Sequence, residues 1–317
     1  TTQTFDMQAN SDYSKESASV PEAKTANASI FTAVVSTVVY LYMFGVFVIT
    51  YLFSFIAPEN KSWLPFKIFD YNVNQNASNV GTVGAVAIDI GLFLMFGFFH
   101  SLFARNSVKK AMNIPSSLER SFFVLQAAGL MHIQMYFWKG FGTPTLWNVK
   151  TNAGVYAVMG VQLFGIVFLL TASFALDHFH LFGLSQGFGI DINKALRLNA
   201  SDHPDSLVRR WHYALVAHPL MTGLMIAFWA TPKMTGSHLL FASINTLYIL
   251  HAVKYLEEPQ LEEMVGPEYS QYLEEVPRYI PFAKGICPGS SDGATNDEKT
   301  EIGGDNAPTQ SYQSTII

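Results

Sequence analysis

Apolar residues gather into six runs, 31–57, 83–103, 121–138, 155–176, 214–230 and 236–256. Each lies near the ~20 residues that a helix needs to cross a ~30 Å hydrocarbon core. The pattern predicts an all-α, polytopic membrane helical bundle of about six spans, with the lipid bilayer as its solvent. Polar stretches flank it. Residues 1–29 and 284–317 read as disordered tails, which leaves 30–283 as a single membrane domain with no internal repeat. Two polar loops, 58–82 and 177–212, exceed what a connector needs, and the second carries Asp177, His178, His180, Gln186, Asp202 and His203.

Composition agrees with this pattern: half of the 317 residues are hydrophobic and 14% are charged. Positive residues set the orientation. If the runs alternate, all but Lys61, Lys67, Lys139, Lys150 and Lys233 of the 19 Lys and Arg fall on one side, which predicts cytoplasmic termini. Residues 1–29 lack the basic start and apolar stretch of a cleavable signal. Asn60 and Asn76 lie in N-x-S sequons on the non-cytoplasmic side. The one cysteine, Cys287, excludes an internal disulfide, a cysteine-based metal cluster and a dithiol redox pair. The net charge of −5 offers no basic stripe for nucleic acid.

Chemistry concentrates between Trp211 and Pro281. Tyr213, His218 and Pro219 stand at the mouth of the fifth run, Glu257 and Glu258 at that of the sixth, followed by Tyr269 and Tyr272. Packed membrane helices need none of these side chains, so their clustering on the cytoplasmic side points to a polar ligand. Pro219 inside a helix would lose a hydrogen bond, so the better placement makes it the first helical residue with His218 just before it. Counted at ~1.5 Å per residue, the arms of this last hairpin differ by ~14 Å, so straight helices would keep His218 and Glu257 apart. Residues 259–275 are amphipathic and acidic, and are expected to fold back as a lid whose Tyr269 and Tyr272 share one face.

The run His218-Pro219-Leu220-Met221-Thr222-Gly223, then Ala227-Phe228-Trp229-Ala230-Thr231-Pro232, Gly236-Ser237-His238, Glu257-Glu258 and Val276-Pro277 resembles the membrane methyltransferases related to isoprenylcysteine carboxyl methyltransferase. The likeness extends upstream to His100-Ser101, Glu119-Arg120-Ser121, Trp138 and His178-Phe179, and covers roughly 31–282. It implies S-adenosyl-L-methionine as methyl donor, a cytosol-facing cofactor pocket built by the last two helices and the C-terminal segment, and a small thiol such as methanethiol as acceptor. Four positions depart from the family pattern. Ala217 and Pro259 stand where arginines are usual, and His180 and Ser185 replace an Asp and an Arg. The missing cation would then come from Arg209, Arg210 or Arg278.

Under this resemblance His218, Pro219, Glu257 and Glu258 are the expected cofactor-binding residues, with Tyr213, Tyr269 and Tyr272 as flat faces for adenine or as interfacial anchors. Gly223 would permit close approach of a ligand or of a neighbouring helix. The thiolate is the nucleophile and an alkyl thiol is mostly protonated at neutral pH, so a neutral histidine is wanted as catalytic base, either His100 or His178. Asp89, within the second run, is expected to be neutral or paired to another helix, and Glu119 and Arg120 to bridge each other unless Arg120 reaches the cofactor. Other acceptors, namely hydrogen sulfide, a longer thiol or an isoprenylcysteine, stay open. A haem- or metal-binding redox protein and a transporter are the rivals from other classes, although no histidine pair has the i, i+4 spacing of a helical metal site, so no metal ligands are assigned.

Overall fold

The structure, a computed structural model, describes residues 29–55, 80–141, 144–198 and 207–283. Nearly all of the expected tails, most of the loop with Asn60 and Asn76, Cys287, and Asp202 with His203 lie outside those residues. Helices α1 (Ile30–Phe55) and α2 (Gly81–Ala104) come first, and α2 turns through the short α3 (Asn106–Met112) into α4 (Ser116–Phe137). Strand β1 (Thr145–Asn148) precedes α5 (Asn152–Leu176). Three short helices follow, α6 (His178–Leu181), α7 (Leu184–Phe188) and α8 (Ile192–Ala195). After α9 (His212–Leu215) and α10 (Pro219–Trp229), strand β2 (Lys233–Thr235) leads into α11 (Gly236–Ala252). That helix runs on through a π-turn, Val253–Glu257, into α12 (Glu258–Val265) and then α13 (Pro267–Glu275).

Each of the six apolar runs is helical over most of its described residues. Among the described residues, four helices are long and apolar enough to cross a membrane: Ile30–Thr50, Gly81–Ala104, Asn152–Leu176 and the continuous Gly236–Val265. Helix α4 has 22 residues but carries Arg120, Gln126, His132 and Gln134 along its length. The structure shortens the fifth run most, because Pro219 starts α10 and leaves 11 residues, which span about 16 Å at ~1.5 Å per residue. That is about half of a bilayer core, so α10 must be completed by its neighbours.

Its chief neighbour is α5, and the contact depends on two glycines. A Cβ at Gly223 would lie 2.6 Å from the Gly165 carbonyl oxygen, and one at Gly165 would lie 2.8 Å from that of Gly223. Small residues let backbones approach this closely where apolar packing alone gives little drive. Gln162 of α5 adds a hydrogen bond to the Ala227 carbonyl at 2.9 Å. Gly223 therefore serves the helix contact, one of the two roles left open for it. Elsewhere α1, α4, α10 and α11 share a buried cluster that includes Val39, Met43, Val124, Phe228, Phe241 and Val253.

Polar groups tie the ends. Asp89 is buried on α2 and accepts from the Lys139 backbone at 2.7 Å, just past α4, so it is paired across helices as expected. Trp138 donates to Ser237 at 2.8 Å, and β1 pairs antiparallel with β2, locking the α4–α5 and α10–α11 connections together. At the other end, the loop 177–198 packs onto α1 and α4. Gly183 has φ +86° there, and a Cβ on it would meet Ser121 at 2.7 Å, so only glycine fits. Glu119 pairs with Lys109 at 3.7 Å rather than serving Arg120, which turns inward and donates to the Leu181 carbonyl at 2.5 Å.

Enlarging the glycine contact should therefore destabilise the fold. Gly223→Ala should lower the thermal stability of detergent-solubilised protein by about 1–3 kcal/mol, the usual cost of overpacking. An unchanged melting temperature would show that α5 and α10 can separate freely.

Candidate functional site

The first residue of α10 is Pro219, as its fixed φ and missing N–H favour, and His218 is the residue before it. His218 is 4% exposed. The extended segment after α13 clamps it: Ala217 and His218 donate through their backbone N–H groups to the carbonyls of Pro277 and Arg278, at 2.8 and 3.0 Å. Thr222, one turn on, donates its hydroxyl to the Tyr279 carbonyl at 2.9 Å. The Tyr279 ring lies 5.8 Å from that of His218.

Both ring nitrogens of His218 face carboxylates. Nδ1 is 3.4 Å from Glu257 Oε1 and Nε2 is 3.2 Å from Glu258 Oε1, while the Tyr269 hydroxyl stands 3.5 Å from Nε2. Burial alone would lower the His218 pKa, but the hydrogen bonds and charges of Glu257 and Glu258 outweigh it and raise it to about 9. His218 is thus a cation that donates at both nitrogens. Glu258 in turn accepts two bonds from Arg278, Nε at 2.6 Å and Nη2 at 3.1 Å. The four groups sum to zero formal charge.

Two carboxylates adjacent in sequence can meet one ring because the helix is widened there. Pro259 has no N–H to give to the carbonyl four residues back, and its ring would crowd that carbonyl. The chain answers with the π-turn, in which the Glu258 N–H bonds to Val253 five residues back. This also corrects the expected separation of His218 from Glu257. The ~14 Å offset assumed straight helices, whereas the π-turn bends the register and glutamate side chains on a helix lean back toward its N-terminus.

The lid expectation is met in part by α12 and α13. Tyr269 and Tyr272 share the inward face, 3% and 1% exposed, and pack with Ala217. Tyr272 donates to the carbonyl of buried Tyr213 at 2.6 Å, and Arg209 covers its ring at 5.4 Å. Burial pushes both lid tyrosines well above the usual phenol range, so they stay protonated donors. Of the three candidate replacement cations, Arg278 is the one bonded to Glu258, whereas Arg209 pairs with Glu275 at 3.0 Å. Tyr279 and the π-turn were not anticipated. Val276-Pro277 marked the segment, and Pro259 was the available signal for the turn.

The candidate bases lie elsewhere. His178 is fully buried and saturated: the Ser173 hydroxyl donates to Leu170 at 2.6 Å and so must accept from Nδ1, at 2.6 Å, leaving Tyr40 to donate to Nε2 at 2.8 Å. Burial lowers its pKa to about 4, but no lone pair is left to take a proton. His100 sits on α2 between the rings of Phe96 and Phe123, with Nδ1 3.3 Å from the Tyr248 hydroxyl. Neither histidine bonds to the His218 group.

Among curated proteins, the chain is 37% identical over 199 residues to a methanethiol S-methyltransferase of a Pseudomonas species, covering 62% of this chain and 74% of that protein. It is 35% identical over 211 residues to a methanethiol S-methyltransferase of Crocosphaera subtropica, covering 66% and 79%. The chain belongs to the methanethiol S-methyltransferase family. Nurim of Xenopus laevis is similar at 28% identity over 176 residues, 52% of this chain and 58% of that protein. No protein-family model and no solved structure matches. Membership of the methanethiol S-methyltransferase family accords with an all-α membrane bundle whose polar groups meet at one helix end.

The charge on His218 has a thermodynamic consequence. Its pKa is raised from 6.5 to about 9 on folding, so the stability it contributes is complete below pH 6.5 and is lost as pH rises through about 9. Detergent-solubilised protein should melt at progressively lower temperature across that interval, and His218→Gln should flatten the dependence. An equally steep decline in the variant would mean that His218 is not the group responsible.

Proposed function

We propose that this chain transfers a methyl group from S-adenosyl-L-methionine to methanethiol, giving dimethyl sulfide, at a site facing the cytoplasm. The observation that carries it is the His218–Glu257–Glu258–Arg278 group, centred on buried His218 at the α10 end, in a chain of this family. The donor set suits a zwitterionic nucleoside conjugate. Glu257 and Glu258, held by His218, would accept from its ribose hydroxyls or ammonium, and Arg278 would face its carboxylate. Tyr213, Tyr269 and Tyr272 are buried and frame this group from within, so they hold the site together rather than present an open face to a purine. Bound there, S-adenosyl-L-methionine supplies an electrophilic methyl group on a sulfonium.

The protein's own part is alignment and exclusion of water. An in-line displacement gains most from holding two reactants at fixed distance and angle, and the strap 277–279 with α13 closes over the site from one side. The bias of Lys and Arg toward one side supports placing that site in the cytoplasm.

Membranes carrying the chain should release dimethyl sulfide into the headspace when given methanethiol and S-adenosyl-L-methionine, and His218→Ala should cut the rate at least ~100-fold, as loss of a charged positioning group does. Undiminished product from that variant would remove His218 from the site. Parallel assays with hydrogen sulfide, a longer thiol and a prenylcysteine test the acceptor, and a preference for any of these over methanethiol would overturn it.

A further inference from the structure

We propose that Tyr248, braced by Ser101, positions His100 to take the proton from the thiol; this rests on the methyltransferase reading above. The four side chains Phe96, His100, Phe123 and Tyr248 form one aromatic cluster at the junction of α2, α4 and α11. The His100 ring lies 5.3 Å from each of Phe96 and Phe123, so its faces are covered and only its edges can work. Tyr248 comes in edgewise, at 82° to the imidazole, and its ring is fixed in turn by Phe93 at 5.7 Å. Gly97 packs beside the Tyr248 ring, where a Cβ would be in ordinary contact at 3.4 Å.

The hydroxyl of Tyr248 lies 3.1 Å from Ser101 Oγ and 3.3 Å from His100 Nδ1. With the phenol donating to Ser101, its oxygen accepts the Nδ1 proton, and the lone pair is fixed on Nε2. Nε2 makes no hydrogen bond among the described residues, and the His100 ring is only partly buried. That sets His100 apart from His178, whose two nitrogens are both taken. Location agrees as well. Tyr248 precedes Glu258 by ten residues, about 15 Å along the helix, within the apolar part of the bundle where a volatile, uncharged thiol partitions. Ile249 and Val253, on the neighbouring face of the same helix, belong to the core cluster that Tyr279 packs against, and Tyr279 touches His218. The two sites are thus linked through one packed stretch of the bundle.

In the step itself, His100 Nε2 accepts the S–H proton and the bonding pair stays on sulfur. That pair forms the new bond to the methyl carbon while the carbon's bond to the donor sulfur breaks, its electrons neutralising the sulfonium. Water later takes the proton from His100.

The test compares methanethiol with trifluoroethanethiol, a small thiol acidified by its fluorines and largely ionised at mildly alkaline pH. Wild-type protein, His100→Ala and Tyr248→Phe are each assayed for kcat and KM, and for S-adenosyl-L-methionine binding by calorimetry in detergent. His100→Ala should lose about 100-fold in kcat on methanethiol but under about tenfold on the acidic thiol, the range expected for removing a general base. Tyr248→Phe, which keeps the ring packing, should lose about tenfold on methanethiol with a smaller loss on the acidic thiol. Cofactor binding should match wild type in both variants. Equal losses on the two thiols, or a Tyr248→Phe variant as active as wild type, would overturn the proposal. Wild-type protein that binds no S-adenosyl-L-methionine and methylates neither thiol would instead sink the functional reading itself, and the proposal with it.

Discussion

The His218 ion group is the constraint that the rest of the site depends on. It draws together three segments distant in sequence: the start of α10, the π-turn after α11 and the strap at 277–279. Removing charges from water is costly, and a buried group of this kind survives only when each charge has its partner and further hydrogen bonds satisfy the remainder. Here the histidine uses both nitrogens, Glu258 accepts from both His218 and Arg278, and the backbone of the strap is anchored on the same loop that presents the ring. Deleting one member of such a group leaves the others unpaired, typically at ~3–5 kcal/mol when fully buried. Arg278 is about one-third exposed, at 34% of its side chain, so solvent screens its share.

A short α10 is what makes that group possible. A full span would carry Pro219 into its interior, where the ring breaks the helix; starting the helix at Pro219 instead opens a polar notch in the bundle. The Gly165–Gly223 contact then secures the remaining 11 residues against α5. Pro259 acts in the same way one helix later. It widens the turn before it and aims Glu257 and Glu258 at one ring. The two prolines thus shape the two halves of the site from the backbone.

These origins explain which features could be read from the residues alone. Helix placement follows from apolar run length, and the N-terminal position of Pro219 follows from its covalent geometry, so both were legible. Likewise Glu257, Glu258, Tyr269 and Tyr272 advertise themselves as polar or facially paired residues beside an apolar helix. What stayed hidden depends on three-dimensional closure. The choice of Arg278 over Arg209 is made by the strap's pairing with residues 217 and 218, and no local pattern encodes that pairing. The reach from His218 to Glu257 was misjudged because a helix counted as a straight rod omits side-chain lean and the π-turn. Saturation of His178 likewise depends on Tyr40, 138 residues away.

Three histidines in this chain show how environment divides one residue type among roles. A ring with two carboxylates is a fixed cation and can donate at both edges but abstract nothing. One with a hydroxyl donor on one nitrogen and a hydroxyl acceptor on the other is neutral and locked, and it serves to join α1 to the end of α5. A ring with one nitrogen engaged and the other open is able to accept a proton, and among the three only His100 is of that kind. On the proposed function these differences have chemical weight. A site that must hold an anion-bearing cofactor and also ionise a thiol needs one charged and one neutral imidazole, kept far enough apart that the first does not suppress protonation of the second. Placing the charged ring at the polar end of the bundle and the other within the aromatic cluster of α2, α4 and α11 keeps the two imidazoles apart.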